Sequence, residues 1–369
     1  MWFKQKRPKI RPLSLSTLTW KRFRQNFTGM AALIFLVFMI VIAILGYLLT
    51  PDSSPWCNRQ QLEIALQSPG FKTNMLYIKQ PYPVPKRGCL ARMLWGQPDT
   101  YKLIPVKNYK QQGDSLYVQL FEIERIDEYK VFPLANLREG QPVEEHRFWL
   151  GTDRYGRDVL SQLMIGSRVS LMVGFISVLI AIFIGVIFGS IAGFYGGKVD
   201  DLLMFVLNVI WSIPTLLLVI AISFALGKGF WQIFMAIGLT MWVDVARVVR
   251  GQVISLREQE FIEAGRALGF SNIHLIFKHV IPQVMGSVIV LSASNFSSAI
   301  LMEAGLSFLG LGVAPPTPSW GMMMRENYAY IVLNNAYLAI APGIAMMLLV
   351  LAFMLVGSAL RDALDVQQA

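Results

Sequence analysis

The stretch GMAALIFLVFMIVIAILGYLL, residues 29–49, decides the fold class of this chain because its 21 residues carry no charge. A helix of about 20 apolar residues crosses the hydrocarbon core of a bilayer. A secretory signal peptide has a shorter apolar region of about 7–15 residues, followed by a small-residue cleavage site. This stretch is longer and ends in Tyr47, Leu48 and Leu49. We therefore predict an uncleaved transmembrane helix over residues 29–50.

The composition agrees with a membrane protein. Of 369 residues, 54% are hydrophobic and 15% are charged, whereas soluble domains average about 25% charged residues. The net charge is +10, and residues 1–29 contribute eight basic residues and no acid. A basic run beside a span is typical of a cytoplasmic, lipid-facing flank rather than a nucleic-acid site. Residues 1–28 are therefore predicted to be cytoplasmic, and no nucleic-acid partner is expected.

Five further apolar segments predict an all-α polytopic membrane protein with six transmembrane helices. The segments are 169–194, 202–226, 230–249, 284–308 and 336–360. Six spans place both termini on the cytoplasmic side of a bacterial inner membrane, because the basic flank lies there. The predicted organisation is then an extracytoplasmic insert (51–146), an amphipathic interfacial segment (147–168), a core with spans two to six (169–360) and a cytoplasmic C-terminus (361–369).

Small residues and a proline predict how the spans pack. Ala181, Gly185, Gly189 and Gly193 recur every four residues in the second span, which makes a stripe where another helix can approach closely. Pro214 removes a backbone hydrogen bond and should bend the third span.

The fifth span carries polar side chains, of which Asn295, Ser298 and Glu303 are candidates for a solute path. Polar groups at membrane depth are costly and usually face a cavity or the bundle interior. Interhelical hydrogen bonding is the alternative for the serines. For Glu303, which we expect near the external mouth, an ion pair is the alternative.

The insert is rich in β-forming residues, as in SLYVQLFEIERIDEYKVF (115–132), and predicts a mixed α/β or β-rich domain between the first two spans. Cys57 and Cys89 both lie in it. In an oxidising compartment they could form a disulfide, which would stabilise the insert by roughly 3–4 kcal/mol on the chain-entropy model. Two free thiols are the alternative.

Several kinds of chemistry are not indicated. The sequence has no phosphate-binding GxxxxGK[ST] loop, no zinc spacing and no GxSxG nucleophile turn. Asp153 and Asp158 in GTDRYGRD fit the calcium-loop pattern poorly. Thr152 or Asp153 is instead expected to cap an amphipathic helix that starts near Val159. No metal, cofactor or catalytic residue is predicted for this chain.

A polar segment, EAGRALGFSNIHLIFKHVIP (263–282), lies between the fourth and fifth spans, in a cytoplasmic loop over 250–283. We predict a helix over 258–268 that Gly269 ends, as glycine commonly does at helix C-termini. Ser271 can cap a second helix over 272–279, and Pro282 suits the start of the next span. A helix pair joined rigidly to two spans could transmit a displacement from a soluble partner to those spans. The alternative is that the segment is only an interfacial connector between them.

These residues resemble the EAA loop of ATP-binding cassette (ABC) importer permeases. The family pattern is E-A-A, three residues, G, nine residues and I-x-L-P, and the chain matches it at Glu263, Ala264, Gly269 and Pro282. It departs at Gly265 for Ala, His279 for Ile and Ile281 for Leu. Other strings, among them GFYGGKVDDLLM and EAGLSFLGLGVAPPTPSWGMMM, are similar to the second permease subunit of the dipeptide/oligopeptide/nickel class over residues 150–366. The long insert exceeds what we expect for that family.

The resemblance implies a type I ABC importer fold and a set of partners. Glu263, Ala264, Gly265, Gly269, Ile281 and Pro282 would form the coupling element that docks on a nucleotide-binding subunit. ATP and Mg²⁺ would be bound by one or two such ATPase subunits and not by this chain. A second permease, an extracytoplasmic solute-binding protein, membrane lipid and a peptide or similar small solute are the other implied partners.

Two other classes of protein fit the sequence less well. An ion-coupled secondary carrier would show inverted repeats and paired ionisable residues near the midplane; Glu303 is the candidate acid, and the two halves show no repeat. A membrane-anchored enzyme would need its chemistry in residues 51–146, where no convincing nucleophile pair or metal spacing occurs.

Overall fold

The structure is a computed structural model that describes residues 15–121, 129–227 and 229–364. The predicted cytoplasmic flank at 1–28 lies partly outside these residues, as does the end of the predicted C-terminal segment at 361–369. Within the described residues the chain is mostly helical, with one antiparallel sheet.

Twelve α-helices occur in the described part of the chain. They are α1 (Leu15–Gln25), α2 (Phe27–Leu49), α3 (Cys89–Trp95), α4 (Val159–Tyr195), α5 (Gly197–Trp211), α6 (Thr215–Leu226), α7 (Phe230–Arg257), α8 (Glu260–Ala267), α9 (Asn272–Leu275), α10 (Ile281–Phe308), α11 (Trp320–Asn327) and α12 (Tyr337–Leu364). Among the described residues, five helical runs are long and apolar enough to cross a membrane, and the bent pair α5 and α6 brings the number to six if it is one span.

The packing of α4 against α7 shows that α5 and α6 together return the chain across the bundle. Gly185 of α4 lies beside Val245 of α7, and Gly193 lies beside Val253. Contacts that advance in the same direction along both helices mean that α4 and α7 run parallel. The connection between two parallel spans must cross back, so the predicted six-span arrangement is confirmed.

The small-residue stripe of α4 is the surface on which α7 lies, as predicted. A Cβ atom added at Gly185 would lie 2.5 Å from Cβ of Val245, and one at Gly189 would lie 2.5 Å from the Ala246 carbonyl oxygen. The Ser177 hydroxyl donates a hydrogen bond of 3.0 Å to the Phe234 carbonyl. Close backbone approach of this kind is how helices associate where lipid removes the hydrophobic drive between them.

Pro214 interrupts the third span, as predicted. The helices on either side, α5 and α6, are bent by 91°. Pro214 precedes the first residue of α6 and adopts an extended ψ of 124°. The break exposes backbone groups that a continuous helix would satisfy, which at membrane depth is tolerated where the backbone is buried in protein or lines a cavity.

The insert is a five-stranded antiparallel sheet, which confirms the β-rich prediction. Its strands are β1 (Phe71–Lys79), β2 (Tyr101–Gln112), β3 (Ser115–Leu120), β4 (Lys130–Pro133) and β5 (Val143–Phe148), in the spatial order β4-β3-β2-β1-β5. Leu76, Val106, Leu116, Val118 and Leu137 form its buried apolar cluster. The sheet is thus a small folded unit and not a loose connector.

The insert is fastened to the beginning of α4 by main-chain hydrogen bonds. Gln61 donates its N–H to the Tyr155 carbonyl at 2.9 Å, and Leu66 donates to the Asp153 carbonyl at 3.0 Å. Arg168 joins three helices, because its guanidinium donates to the Ala43 carbonyl of α2 at 2.7 Å and to the Leu94 carbonyl of α3 at 2.9 Å.

Two predictions at this junction differ from the structure. Residues 159–168 are not a separate interfacial segment but the first turns of α4, a 37-residue helix that is about 55 Å long at 1.5 Å per residue. The residue that caps α4 is Asp158, whose carboxylate accepts the Ser161 N–H at 2.9 Å, and not Thr152 or Asp153. Asp153 instead accepts N–H groups of its own turn, from Tyr155 and Arg157.

The two cysteines are not joined in the structure. Cys57 is fully buried, and its thiol donates to the Asp52 carbonyl at 3.0 Å, whereas Cys89 is exposed at the start of α3. Burial, followed by the Asp52 charge, raises the pKa of the Cys57 thiol. The alternative of two free thiols is what the structure contains.

A buried ion cluster ties the beginning of α4 to α11. Arg157 contacts Asp153 at 2.6 Å and Glu326 at 2.7 Å, and Arg154 approaches Glu326 at 3.4 Å. The side chains of Arg157 and Asp153 are 8% and 3% exposed. Removal of one member of a buried pair leaves an uncompensated charge and typically costs about 3–5 kcal/mol.

We therefore expect Arg157→Ala to lower the unfolding temperature markedly, because it leaves the buried Asp153 without the Arg157 cation and Glu326 with the longer contact to Arg154 at 3.4 Å. Thermal unfolding of the purified protein, followed by limited proteolysis of the insert, measures the effect. The matched control is Lys72→Ala, which breaks a surface pair with Glu145 whose members are both 55% exposed. Such pairs contribute about 0–1 kcal/mol, so equal unfolding temperatures for the two variants would contradict the structural role of the cluster.

The two ends of the bundle are distinct. Leu364, the last residue of α12, lies 3.8 Å from the position of a Cβ at Gly286, near the start of α10. At the opposite end of α12, the Tyr337 hydroxyl donates to the Gln67 carbonyl of the insert at 2.7 Å. The polar helix pair and the end of α12 therefore share one end of the bundle, and the insert occupies the other.

Candidate functional site

The polar segment between α7 and α10 folds as the predicted pair of short helices. In α8 the last turn closes with two hydrogen bonds, from the Gly269 N–H to the Arg266 carbonyl at 2.9 Å and from the Phe270 N–H to the Gly265 carbonyl at 3.1 Å. This pattern is a Schellman C-cap, which places its glycine in the left-handed region. Gly269 has φ +81° and nothing within 4 Å of an added Cβ, so backbone conformation alone requires glycine there.

The second short helix continues directly into the next span. Ser271 caps α9 by accepting the His274 N–H at 3.3 Å, as predicted. The π-helical turn Ile276–Val280 then joins α9 to α10, and Pro282 lies in the first turn of α10. The residues from Asn272 to Phe308 form one helical run of 37 residues, so a displacement of α9 is transmitted to the fifth span.

The helix pair is held against the end of α4 and α7. Ile262, Leu275, Ile276 and Val280 are buried in the same apolar cluster as Val249 and Val253 of α7. Arg266 lies over the Phe194 ring at 5.3 Å, and Arg257 donates to the Gly193 carbonyl at 3.3 Å. The pair is therefore packed onto two spans and not suspended from a flexible loop.

The outer surface of the helix pair is apolar. Ile276 is buried, but Ile273 and Phe277 are 64% and 62% exposed. The exposed apolar side chains of this surface are Phe261, Leu268, Phe270, Ile273 and Phe277. Contiguous exposed apolar residues on a folded element are typical of an interaction site. We call this surface the coupling surface.

The six residues taken from the motif occupy defined places in this element. Glu263 and Ala264 are exposed on α8, and within the described chain the Glu263 carboxylate has no hydrogen bond or ion pair. Gly265 is buried, and an added Cβ would lie 2.7 Å from the Leu275 side chain, so the departure from alanine is matched by close packing of α9 on α8. Ile281 and Pro282 begin α10.

A second polar site lies among the spans. Asn295 and Ser298 both line a cavity of about 240 Å³ between α5, α6, α7 and α10. Asn295 is 6% exposed, and its Nδ2 has no hydrogen-bond partner among the described residues. The bend at Pro214 contributes to the same cavity, because Trp211, Ile213 and Thr215 on either side of it line the wall.

Glu303 is not brought together with Asn295 and Ser298. It is fully buried, and its Oε1 accepts the Ser307 hydroxyl at 2.6 Å. It does not line the cavity. Glu303 is therefore an acid buried within the packed bundle, and its hydrogen-bond partner Ser307 lies one turn further along the same helix.

The sequence prediction overlooked three residues of the cavity, Asp244, Thr240 and Thr215. Asp244 is the most informative, because it is an acid within the apolar run of the fourth span and its side chain is exposed. Glu303 is therefore not the single acid of the spans. The available signal was the position of Asp244, the first charged residue after Phe230 in the predicted fourth span.

Comparisons with known proteins identify a family of similar sequences. Residues 185–367 match the family described as binding-protein-dependent transport system inner membrane component, and residues 14–69 match the N-terminal transmembrane domain of oligopeptide transport permease C. The oligopeptide transport system permease protein OppC of Bacillus subtilis is 39% identical over 61% of this chain and 72% of its own length.

Other relatives show similar coverage. The dipeptide transport system permease protein DppC of Alkalihalophilus pseudofirmus is 41% identical over 61% of this chain and 73% of its own length. The glutathione transport system permease protein GsiD of Pectobacterium atrosepticum is 38% identical over 65% of this chain and 78% of its own length. The solved MetNI methionine ABC transporter, in an inward-facing conformation, aligns with a TM-score of 0.46 at 18% identity, over 55% of this chain and 97% of that chain.

The six-span bundle and its rigid polar helix pair define a multi-pass membrane component of a transport system. The 38–41% sequence identity with the named permeases shows to which family of such components the chain belongs. The chain belongs to the family of binding-protein-dependent transport system inner membrane components, and it is a transporter subunit rather than an enzyme.

Proposed function

We propose that this chain is the permease subunit of an ABC importer for peptides, which forms half of a translocation path and is driven by separate ATPase subunits. The observation that carries the proposal is the coupling surface, whose apolar side chains and unpaired Glu263 lie on a helix packed against the ends of α4 and α7 and on one that continues without a break into α10. The relatives named for oligopeptide, dipeptide and glutathione transport support a peptide solute.

The proposed orientation follows from the basic residues before α2. These residues favour a cytoplasmic position for the chain termini and the coupling surface, on the side where ATP is available. The insert then faces outward, on the side from which a solute-binding protein delivers the peptide. A second, related permease would complete the path.

The proposed mechanism is mechanical. Closure of two ATPase subunits around ATP displaces α8 and α9 together, since both are packed onto the ends of α4 and α7. The displacement passes into α10 through the continuous helical run from Asn272. The path then opens to the opposite side of the membrane. In this mechanism Glu263 forms a charge contact with the ATPase, and Gly269 maintains the turn between α8 and α9. ATP and Mg²⁺ remain on the ATPase chains.

The test measures how much ATPase copurifies with the tagged chain in mild detergent. The amount recovered with the wild-type chain is compared with that recovered with a variant that carries a charge on the coupling surface. We expect Ile273→Asp to reduce the recovered ATPase at least about tenfold, because a buried unpaired charge at an interface typically costs more than about 1.4 kcal/mol. The matched control is Leu62→Asp in the insert, where the replaced side chain is 67% exposed, compared with 64% for Ile273. Equal recovery from the two variants would contradict docking at this surface.

A further inference from the structure

The cavity beside the bent third span contains an acid and an amide that have no partner within the described chain. Asp244 and Asn295 are each near the middle of a helix of 28 residues, α7 and α10 respectively. Thr215 stands at the break between α5 and α6. Three elements therefore bring polar groups to the wall of one cavity.

Asp244 is exposed, whereas Val243 and Val245 beside it are buried. Within the described residues its carboxylate forms no ion pair within 4 Å. The cation one turn away, Arg247, is engaged elsewhere, since it donates to the Asn208 side-chain oxygen at 2.9 Å and lies over the Trp211 ring at 4.0 Å. A charged group within a span is costly unless water or an opposite charge meets it.

Asn295 supplies the second and independent observation. Its side chain is more than nine-tenths buried, it lines the cavity, and its Nδ2 donates to no described group. A buried amide donor without a partner costs about 1–3 kcal/mol, so an acceptor at this place is favourable. Ser298 and Thr240 add hydroxyl groups to the same wall.

The chemistry of these groups selects the kind of ligand. A carboxylate attracts a cation, and an amide N–H₂ and a hydroxyl bond a carbonyl oxygen. The cavity of about 240 Å³ is many times larger than the roughly 10–15 Å³ that a single water needs, which is room for an ammonium group and its neighbouring peptide unit.

We propose that Asp244 binds the ammonium group of a peptide's amino terminus as it crosses the bundle, while Asn295 donates a hydrogen bond to the following carbonyl. This assignment rests on the proposed function. The Asp244 contact would make the path selective for solutes with a positively charged terminus. This selection would follow the one made by the solute-binding protein. The contact must be weak enough to release the solute, as conduction through any path requires.

The test measures the charge of the cavity with thiol reagents in the assembled transporter. Ser298→Cys is made in a Cys89→Ser background, where Cys57 is buried. The rates of modification by a cationic and by an anionic methanethiosulfonate are then compared. We expect Asp244→Asn to lower the cationic-to-anionic rate ratio roughly tenfold, since one charge at close range in a partly desolvated site is worth at least that factor. The ratio at Leu62→Cys in the insert should not change.

Uptake supplies the functional readout. Asp244→Asn should reduce ATP-dependent uptake of a peptide with a free amino terminus, and Asp244→Glu should restore part of it. An unchanged rate ratio at Ser298→Cys, or no modification by either reagent, would overturn the assignment. Loss of the second permease from purified Asp244→Asn would overturn it as well, because it would show an ion pair between subunits. If wild-type uptake still depends on the ATPase subunits in these cases, the proposed function stands and only the role of Asp244 fails.

Discussion

Replacement of Gly269 by valine is expected to abolish solute uptake while the protein remains folded in the membrane. A residue with a Cβ is disfavoured at φ +81° by roughly 1–2 kcal/mol, and a β-branched one more so. The Schellman turn would then open, and α8 would change its angle to α9. Because the coupling surface is composed of residues from both helices, its shape would be lost. Uptake by cells at equal membrane abundance measures the effect.

A matched control distinguishes the effect of backbone strain itself from the effect of strain at the coupling surface. Gly113, in the turn between β2 and β3, has φ +55° and also has nothing within 4 Å of an added Cβ. Gly113→Val therefore imposes a similar backbone strain at the other end of the molecule, and uptake should be largely retained. Glu263→Lys should reproduce the defect of Gly269→Val without backbone strain. Normal uptake by both Gly269→Val and Glu263→Lys would count heavily against the coupling role.

Replacement of Gly189 by leucine is expected to prevent the spans from packing. The atom nearest to an added Cβ is the Ala246 carbonyl oxygen at 2.5 Å, which belongs to the backbone of α7 and cannot rotate away. Overpacking typically costs about 1–3 kcal/mol and sometimes more. The expected result is a fall in melting temperature of roughly 5–10 °C, or loss of monodisperse protein.

The control for this variant is Gly305→Leu. Gly305 is also a helical glycine within a span, on α10, but nothing lies within 4 Å of an added Cβ. Size-exclusion chromatography after heating compares the two proteins directly. Equal heat stability of Gly189→Leu and Gly305→Leu would show that α4 and α7 are not held at the close distance that the structure gives.

The features predictable from the sequence are those with a local cause. The spans follow from length and hydropathy, the bend follows from Pro214, and the close approach of α7 follows from the four-residue spacing of Gly185 and Gly189. The C-cap at Gly269 and the N-cap at Ser271 also depend on neighbouring residues alone. The strand order of the insert has no such local cause, because it is set by contacts between distant residues.

The errors have physical reasons. Asp158 caps α4, whereas Asp153 is engaged by its own turn and by Arg157, an arrangement of side chains that residue spacing alone does not reveal. Asp244 was overlooked because one carboxylate scarcely lowers the hydropathy of a 28-residue helix. The predicted interfacial segment at 147–168 separates residues 159–168 from the second span because polar residues there resemble a surface helix, whereas Ser161 and Gln162 are buried and bonded to the insert.

The measurement that tests the coupling most directly is uptake into proteoliposomes. The chain is reconstituted with a second permease and a solute-binding protein, with and without ATPase subunits on the side of the coupling surface. The account predicts peptide accumulation only when both ATP and the ATPase subunits are present, and none with Gly269→Val. Accumulation driven by an ion gradient in liposomes that contain this chain and no ATPase would contradict it.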